Sequence, residues 1–383
     1  MAASKEIVVV GGGAFGSWIA LHGARAGHRI TLVERVGPAN ELSSSTGESR
    51  IIRSAYGSDR TYTVFARRAL RLWVDFLAEQ KCPELFHKTG ILWMADARDS
   101  SLREARTIFE ELRIEHEWLN AADIASRYTQ MRVPLGAAAL LEPEAGAIMA
   151  ERTLRLVLDA AISAGVRYEV AAIRPPDFAT SAMHWVETTE GKRIPGELFV
   201  FAAGSWLPKL FPLLQPVIRP TRQELFFSDV PAGGEFRPGG LPAWIDQTDP
   251  RIPYGLPDFG SGMKLGFHRL GPAFDPDSSP RAIGEAAISE AIVYTANRFP
   301  AMRDASLRAA QVCHYGNTPN GDFLIDQHPQ LKHAWLVGGG SGHGFKHAPT
   351  VAEYLFNLIG EAIAPEPRFS LASKRNVAGS RVL

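Results

Sequence analysis

The chain has 383 residues, of which 45% are hydrophobic and 21% are charged, a composition that excludes wholesale disorder and predicts two to three domains. Its 41 basic residues balance 41 acidic ones, which argues against nucleic-acid or membrane-surface binding, since both need an excess of positive charge. No window reaches about 18 consecutive apolar residues, so no transmembrane helix is expected. The two cysteines, Cys82 and Cys313, exclude a disulfide framework, and we expect no metal site.

The first predicted element is a buried strand over residues 7–10, Ile-Val-Val-Val. Four apolar residues are too few for a secretory signal, so the cytoplasm is the expected compartment. Residues 11–16 contain the pattern G-x-G-x-x-G, and a helix is predicted over 17–26. A second strand over 29–33 ends at Glu34. This order of strand, glycine turn, helix, strand and acid predicts a dinucleotide-binding unit.

Each glycine of the pattern, and the acid that follows the second strand, has a physical role. Gly11 permits the tight turn, Gly13 lets the backbone approach a pyrophosphate, and Gly16 lets the helix pack closely on the strand. The carboxylate of Glu34 accepts hydrogen bonds from ribose hydroxyls and disfavours the extra phosphate of NADP. The unit alone does not distinguish FAD from NAD.

The middle of the chain alternates between two kinds of pattern. Helical patterns recur over residues 61–77, 101–113, 151–165 and 279–298, and an apolar strand lies within 197–204. Residues 224–267 are rich in short strands and turns, which predicts antiparallel sheet. Nucleotide-domain patterns therefore occur at the start, in the middle and again near the end. We expect a second domain inserted in pieces into the first.

Two cationic clusters are candidate binding groups. Arg50 and Arg53 are three residues apart, so on a helical turn they would share a face and clamp a carboxylate or phosphate. A solvated basic face with Glu48 as partner is the alternative. Lys264 and His268 point to the same side of a predicted strand. Such a pair is usually solvated surface, and it forms a site only if that face covers a cavity.

Two further clusters lie near the C-terminus. Cys313 and Tyr315 share a strand face, where the cysteine is either a small core residue or a reactive thiol that attaches a cofactor. Five of the seven residues from 338 to 344 are glycine, and a helix is predicted over 348–359. Glycines before a helix let backbone N–H groups approach an anionic ligand, to which Lys346 would add charge. A flexible loop with Lys346 in solvent is the alternative.

Taken together, these segments resemble the monomeric sarcosine oxidase family, within the D-amino-acid-oxidase-like FAD-dependent oxidoreductases. The resemblance spans nearly the whole chain, and the order and spacing of the last four matching segments are highly specific. The segments are residues 11–16, Arg50-Ile-Ile-Arg-Ser-Ala-Tyr-Gly, Tyr254-Gly-Leu-Pro, Lys264-Leu-Gly-Phe-His, Cys313-His-Tyr-Gly-Asn-Thr-Pro and Ser341-Gly-His-Gly-Phe-Lys.

The resemblance implies a role for each matching residue. It implies that FAD is attached covalently through the sulfur of Cys313, and that Arg53 and Lys346 bind the substrate carboxylate. The implied catalytic residues are Lys264, which activates oxygen, Arg50, His268 and Tyr254. The implied substrate pocket also contains Tyr315, Thr46 and Ile245. The implied cofactor contacts are Gly11, Gly13, Ala14, Phe15, Gly16, Glu34, Arg35, Ser45, Ala203, Gly204, Gly340, Gly342, Gly344, Phe345 and Lys346.

Two positions depart from the family pattern. Thr46 stands where sarcosine oxidases proper have a histidine, and Ile245 where the family pocket has a methionine. Both indicate an altered pocket, and the smaller Thr46 would widen it. The resemblance therefore implies amine oxidation more firmly than it implies sarcosine as the substrate.

The expected fold class is α/β, with an FAD-binding Rossmann-like domain and an inserted α+β substrate domain on a mostly antiparallel sheet. The expected FAD-binding domain comprises residues 1–80, 148–218 and 312–383, and the substrate domain comprises 81–147 and 219–311. The expected activity is oxidation of the C–N bond of an N-methyl or other secondary amino acid to an imine, with O2 reduced to hydrogen peroxide. The expected partners are a small amine and O2, without nucleic acid or membrane, and the expected state is a monomer.

Three alternatives stay open at this point. The first is a related flavin oxidase for a bulkier amine, such as a fructosyl amino acid, N-methyltryptophan, or a cyclic imino acid such as proline or pipecolate. The second is a NAD-dependent dehydrogenase, which leaves Cys313 and the C-terminal glycines unexplained. The third is a non-catalytic nucleotide-binding protein, which predicts bound cofactor without turnover.

Overall fold

The computed structural model describes residues 4–375. Its strands are β1 (Glu6–Val10), β2 (Arg29–Glu34), β3 (Ser49–Ile52), β4 (Phe86–His87), β5 (Ile91–Asp96), β6 (Glu117–Asn120), β7 (Ala137–Glu142), β8 (Gly146–Met149), β9 (Arg167–Val170), β10 (Trp185–Glu187), β11 (Arg193–Pro195), β12 (Leu198–Phe201), β13 (Arg219–Ser228), β14 (Ala243–Asp246), β15 (Pro253–Leu256), β16 (Met263–Phe267), β17 (Leu307–Asn317), β18 (Leu324–Gln327) and β19 (Ala334–Gly338). Its α-helices are α1 (Ala14–Arg25), α2 (Arg60–Glu79), α3 (Ser100–Leu112), α4 (Ala121–Arg127), α5 (Ala150–Ser163), α6 (Leu207–Leu210), α7 (Glu285–Arg298) and α8 (Gly344–Ile359).

The first apolar run lies at the centre of a six-stranded sheet with the order β18-β19-β12-β1-β2-β9. All of its neighbouring pairs are parallel except β18 with β19. Ile7 and Val9 pack into a cluster that includes residues of α1 and α8, whereas Val8 and Val10 pack into a second cluster on the other face. Because both faces of β1 are covered, its sequence is continuously apolar rather than alternating.

An eight-stranded sheet, β17-β13-β16-β15-β14-β5-β7-β6, forms the second layer. Its neighbours pair antiparallel except for the parallel pair β5 and β14. Met263, Leu265 and Phe267 on one face of β16 pack with Ala291 and Tyr294 of α7. The opposite face is turned toward the six-stranded sheet and forms the floor of the site described below. The expected fold class is confirmed.

The division into domains stays a prediction. Residues 312–317, which we assigned to the FAD-binding unit, pair with β13 in the eight-stranded sheet. The ends of that assignment, residues 1–3 and 376–383, lie outside the described residues. Within 4–375, no helix is both long and apolar enough to cross a membrane.

Several local predictions need correction. Residues 49–52 form a strand and not a helical turn, because they pair antiparallel with β8. Helix α7 begins at Glu285 instead of 279, since Pro280 disfavours helix for the residue before it and Gly284 is the N-cap. Helix α8 begins at Gly344 instead of 348. A Cβ at Gly344 would lie 3.1 Å from the ring of Phe15, so glycine there allows this first turn to pack closely.

Candidate active site

A cavity of about 640 Å³ lies between the two sheets. The carboxyl ends of β1, β2, β12 and β19 form one side of it, which is where ligands bind in open parallel sheets. The inward face of the eight-stranded sheet forms the other side. The cavity is lined by all the site residues expected from the sequence except Thr46 and Gly16.

The glycines of the turn after β1 allow close packing against neighbouring backbone. Gly11 has φ of +106°, and a Cβ there would lie 2.6 Å from the carbonyl oxygen of Ala202. A Cβ at Gly16 would lie 1.8 Å from the carbonyl oxygen of Gly11, so Gly16 serves helix packing behind the cavity. The N-cap of α1, Gly13, makes no side-chain capping hydrogen bond, and the Ala14 N–H donates to Ser45 Oγ at 3.0 Å. The remaining N–H groups of this first turn favour an anion.

Glu34 stands at the end of β2 and lines the cavity. Its Oε2 accepts a hydrogen bond of 2.6 Å from the backbone N–H of Gly12, and its Oε1 accepts one of 3.2 Å from Val36 N–H. The carboxylate is thereby held beside the glycine turn, where it can receive hydroxyl groups from a ribose.

The glycine-rich C-terminal segment brings a second helix start to the same cavity. Helix α8 follows His343, which makes no side-chain cap. Gly342 has φ of +80°, and a Cβ there would lie 2.6 Å from the Tyr315 ring. Phe345 stacks on Trp73 with ring centroids 5.6 Å apart. Two uncapped helix starts thus face one cavity, and each presents partial positive charge to it.

The floor of the cavity is a row of side chains in register across neighbouring strands. Trp93 of β5 pairs with Ile245 of β14, and Ile245 pairs with Tyr254 of β15. Paired residues project from the same face, so all three side chains line the cavity. In the same way Cys313 of β17 pairs with Gln223 of β13, and both line it.

Lys264 is buried at the junction of the two sides of the site, with 2% of its surface exposed. Its Nζ donates a hydrogen bond of 2.7 Å to the backbone carbonyl of Ser49. Burial, together with the positive charge of Arg50, lowers the pKa of Lys264 to about 7. The usual interpretation of such a residue as solvated surface is therefore wrong for Lys264.

Arg53 and Lys346 form a buried cationic pair of residues around one aromatic ring. The guanidinium carbon of Arg53 lies 4.5 Å from the ring centroid of Tyr56, and Lys346 Nζ lies 5.1 Å from it. Lys346 is 5% exposed, and burial and the charge of Arg53 hold its pKa well below the ordinary value. An anion that entered this end of the cavity would favour the charged form of Lys346. The site can therefore bind a carboxylate.

Arg50 is anchored by backbone oxygens. It donates to the carbonyls of Ser49 and Ser44, each at 2.9 Å, and to that of Thr46. The hydroxyl of Thr46 donates to Ala39 O at 3.1 Å, so Thr46 holds the loop and Arg50 instead of lining the substrate space. The expected widening of the pocket through Thr46 has no support in this geometry.

Three buried side chains behind the cationic pair, those of Tyr56, His343 and His347, were not among the site residues expected from the sequence. His343 Nε2 lies 3.1 Å from Gly321 O, a contact that requires the proton on Nε2. The Tyr56 hydroxyl must then donate to His343 Nδ1, 3.1 Å away, and accept from His347 Nε2, 2.7 Å away. Burial lowers the pKa of both histidines well below the ordinary value, so this chain is neutral. No local sequence pattern indicates this hydrogen-bonded group, because the fold brings Tyr56 to the two histidines from a distant part of the sequence.

A second feature that the sequence did not reveal lies at the solvent end of the cavity. Asp277, in the segment between β16 and α7, forms ion pairs of 2.7 Å with Arg35 and 2.6 Å with Lys209. It also accepts a hydrogen bond of 2.8 Å from Trp206 Nε1. We call these four residues the Asp277 clasp. It joins the segment from the eight-stranded side to residues that follow β2 and β12.

The carboxyl-end glycine turns, the two helix starts and the buried cationic side chains form a site suited to a nucleotide, and comparison with known proteins identifies its class. The family model described as FAD dependent oxidoreductase matches residues 6–358. The chain therefore belongs to this family of FAD-dependent oxidoreductases.

The chain is also similar to individual enzymes over most of its length. The chain is 31% identical to monomeric sarcosine oxidase from Bacillus sp. (strain NS-129), over 94% of this chain and 93% of that enzyme. It is 27% identical to N-methyl-L-tryptophan oxidase from Yersinia pestis (strain Pestoides F), over 91% and 93%. Among solved structures, L-proline dehydrogenase from P. horikoshii has the same fold, with a TM-score of 0.81 at 20% identity over 97% of both chains.

The residues present fit FAD. The uncapped start of α1 and the space beside Gly13 suit a pyrophosphate, and Glu34 suits the ribose. The start of α8 with Lys346 suits the end of a flavin that becomes anionic on reduction. The described residues contain no group of three or more His, Cys, Asp or Glu side chains placed to hold a metal ion.

Proposed function

We propose that the protein oxidises the C–N bond of an N-methyl or other secondary amino acid to an imine and passes the two electrons through FAD to O2, which leaves as hydrogen peroxide. Water then hydrolyses the imine to an amine and an aldehyde. The observation that carries the proposal is the joint presence of buried Arg53, Lys346 and Lys264 around one cavity of an FAD-dependent fold. Bound FAD would supply the two-electron acceptor.

Arg53 and Lys346 are proposed to hold the substrate by its carboxylate. Arg53 offers a fork of N–H donors and Lys346 a point charge, and the common Tyr56 ring supports both. Fixing the carboxylate fixes the amine relative to the rest of the cavity. The surrounding positive charge also lowers the pKa of the bound amine, so that the neutral form with its lone pair is favoured.

Lys264 is proposed to assist the step in which O2 accepts electrons. Negative charge develops on oxygen during this step, and a buried ammonium stabilises it more strongly than a solvated one. Arg50 adds positive charge to the same region, and the phenols of Tyr254 and Tyr315 stay neutral because burial raises the pKa of each. His268, Tyr254 and Tyr315 are proposed to enclose the substrate and exclude water.

Cys313 is proposed to attach the cofactor covalently. Its thiol lines the cavity and lies on the strand face that carries Tyr315. A thioether to the 8α-carbon of the flavin forms with net loss of two electrons and two protons, for which O2 serves as acceptor. Such a bond would prevent dissociation of the cofactor.

The experiment that tests this assignment is an absorption spectrum before and after acid precipitation. Yellow colour that stays with the precipitate, and that moves to the supernatant in Cys313→Ala, supports covalent attachment. Cys82→Ala is the matched control, because Cys82 packs against the apolar core and does not line the cavity. Peroxide release across a panel of secondary amino acids then tests the activity. Bound FAD with no turnover of any amine would favour a non-catalytic role.

The bulkier-amine alternative remains a second candidate because Ile245, which lines the cavity, departs from the family pattern. The same panel separates it by including N-methyltryptophan, a fructosyl amino acid, proline and pipecolate. We also propose that the protein acts as a monomer, as the name of its sarcosine oxidase relatives states for those enzymes. Light scattering on the purified protein tests this. The cytoplasmic location stays a prediction from the sequence.

A further inference from the structure

One wall of the cavity starts next to Arg53, at the carboxylate-binding end. The part of this wall nearest Arg53 is apolar. The guanidinium carbon of Arg53 lies 5.3 Å from the ring centroid of Trp93, and Trp93 pairs in register with Ile245. A ligand whose carboxylate binds Arg53 therefore has Trp93 and Ile245 beside its remaining atoms. Sarcosine has no side chain to place against such a wall.

The wall ends in a polar side chain. Gln247 follows Ile245 by two positions, so it projects to the same side, and it lines the cavity. Its backbone N–H continues the ladder by donating to Met94 O at 2.8 Å. Its Oε1 lies 3.5 Å from the hydroxyl of Ser101, whose proton is already donated to Asp99, and within residues 4–375 its Nε2 has no hydrogen-bond partner. The protein therefore leaves the amide with hydrogen-bonding capacity that only a ligand or water can use.

The segment that carries Gln247 is fixed from behind. Asp246, immediately before it, is fully buried and forms an ion pair with Arg298. Asp246 also accepts hydrogen bonds from Tyr294 OH at 2.7 Å and from Thr248 N–H at 3.0 Å. These partners hold the backbone on both sides of Gln247, so its position is determined by the fold rather than by the ligand.

The other end of this segment is strained. Ile252 lines the cavity with φ of +50°, a left-handed conformation that β-branched residues rarely adopt. Its N–H donates to Asp249 O at 2.9 Å and its carbonyl accepts from His268 N–H at 3.0 Å. Such strain persists where surrounding contacts impose it, often at ligand sites. After Trp93 and Ile245, Ile252 is the third apolar side chain of this wall.

We propose that Gln247 is a specificity-determining residue, and that the substrate carries an apolar stem ending in a neutral hydrogen-bonding group, an amide or a hydroxyl. The stem packs on Trp93, Ile245 and Ile252, and its terminal group forms a hydrogen bond with the side-chain amide of Gln247. The stem is either the α-side chain or the substituent on the amine nitrogen. The inference rests on the oxidation proposed above.

Two pairs of compounds test it, each matched in size. The α-side-chain pair is N-methyl-L-glutamine against N-methyl-L-homoleucine, and the nitrogen-substituent pair is N-(2-hydroxyethyl)glycine against N-propylglycine. We expect the polar member of one pair to have a kcat/KM about tenfold higher, the value of one hydrogen bond to an otherwise unpaired amide group. The pair that responds identifies which substituent reaches Gln247.

Variants connect the preference to the residue. Gln247→Leu should abolish the preference, and Gln247→Glu, which replaces donors by a charged acceptor, should shift it toward N-methyl-L-ornithine. Gln327→Leu is the matched control, because Gln327 is exposed on β18. Ligand-induced shifts in Tm, measured without O2, give binding preferences that do not depend on turnover.

The outcomes separate the two proposals. Equal kcat/KM within both pairs, or a preference that survives Gln247→Leu, overturns the inference while leaving amine oxidation standing. If no compound is turned over, the proposed oxidation fails, and the Tm shifts still decide on Gln247. Equal stabilisation by both members of each pair then overturns the inference, whereas stronger stabilisation by the polar member in the natural protein alone supports it.

Discussion

The Nζ of Lys264 lies 2.7 Å from the backbone carbonyl of Ser49, the residue immediately before Arg50. One hydrogen bond thus ties β16 of the eight-stranded sheet to β3, the strand that carries Arg50. The bond fixes the position of the lysine without supplying a negative partner. Burial, followed by the charge of Arg50, therefore lowers its pKa to about 7.

Replacing Lys264 should slow the reaction of reduced enzyme with O2. Lys264→Met removes the charge while keeping a side chain of similar length, so we expect the rate of reoxidation to fall by about two orders of magnitude. In the unchanged protein the rate should fall as pH rises through about 7, since the ammonium is then lost. Stopped-flow absorbance after anaerobic reduction measures both. A rate in Lys264→Met equal to that of the unchanged protein would falsify the role.

The same residue should give the protein a pH-dependent stability. Above about pH 7 folded Lys264 has released its proton, whereas the unfolded chain keeps it up to about pH 10. In that window the unfolded state binds more protons, so its contribution to the free energy of unfolding rises with pH by up to about 1.4 kcal/mol per unit. Lys264→Met should lose this contribution. Denaturant midpoints of both proteins at pH 6.5, 7.5 and 8.5 test the difference, and parallel pH profiles would contradict it.

Arg53 should matter for binding through its geometry as well as through its charge. Arg53→Lys keeps the charge but loses the planar fork, and we expect KM to rise about tenfold with a smaller change in kcat. Arg53→Gln removes the charge, and we expect about a hundredfold rise. Steady-state kinetics with the best substrate of the panel measure both effects. A KM of Arg53→Lys equal to that of the unchanged protein would mean that the fork is not used.

Gly342 should tolerate no side chain. Alanine there would adopt φ of +80° and place its Cβ 2.6 Å from Tyr315 and 2.8 Å from His268. We expect Gly342→Ala to lose most turnover because both pocket residues must move, while the FAD content stays near that of the unchanged protein. Gly284→Ala is the control, since no atom lies within 4 Å of a Cβ there and its φ is not in the left-handed region. Equal activities of the two variants would contradict the prediction.

Local patterns predicted the parts of the site that depend on neighbouring residues. The glycine turn, Glu34 and the second glycine-rich helix start are formed by short segments, and the structure brings them to one cavity. The helical turn assigned to Arg50 and Arg53 was wrong because pairing with β8 overrides local spacing. Single-strand periodicity also could not tell that both faces of β16 are buried.

The remaining features depend on contacts between distant segments. Tyr56 meets His343 and His347 only because β3 and α8 border the same cavity, and no spacing in the sequence indicates this. Ile245 and Trp93 become neighbours through the parallel pairing of β14 with β5, which periodicity does not specify. Thr46 shows that a matching sequence position does not fix the direction of a side chain. It was predicted to line the substrate pocket, but its hydroxyl donates to Ala39 O.

The Asp277 clasp affects how the cofactor enters. Its charged members are between 35% and 41% exposed, so dissolved salt weakens them, and they stand at the solvent end of the space that a dinucleotide must cross. We therefore expect cofactor uptake to include opening of the clasp, a step that ionic strength accelerates, although salt ordinarily slows the capture of an anion by positive helix ends. Apoprotein mixed with FAD should therefore load faster at moderate salt than at low salt, and Asp277→Asn should load at a rate that salt no longer increases.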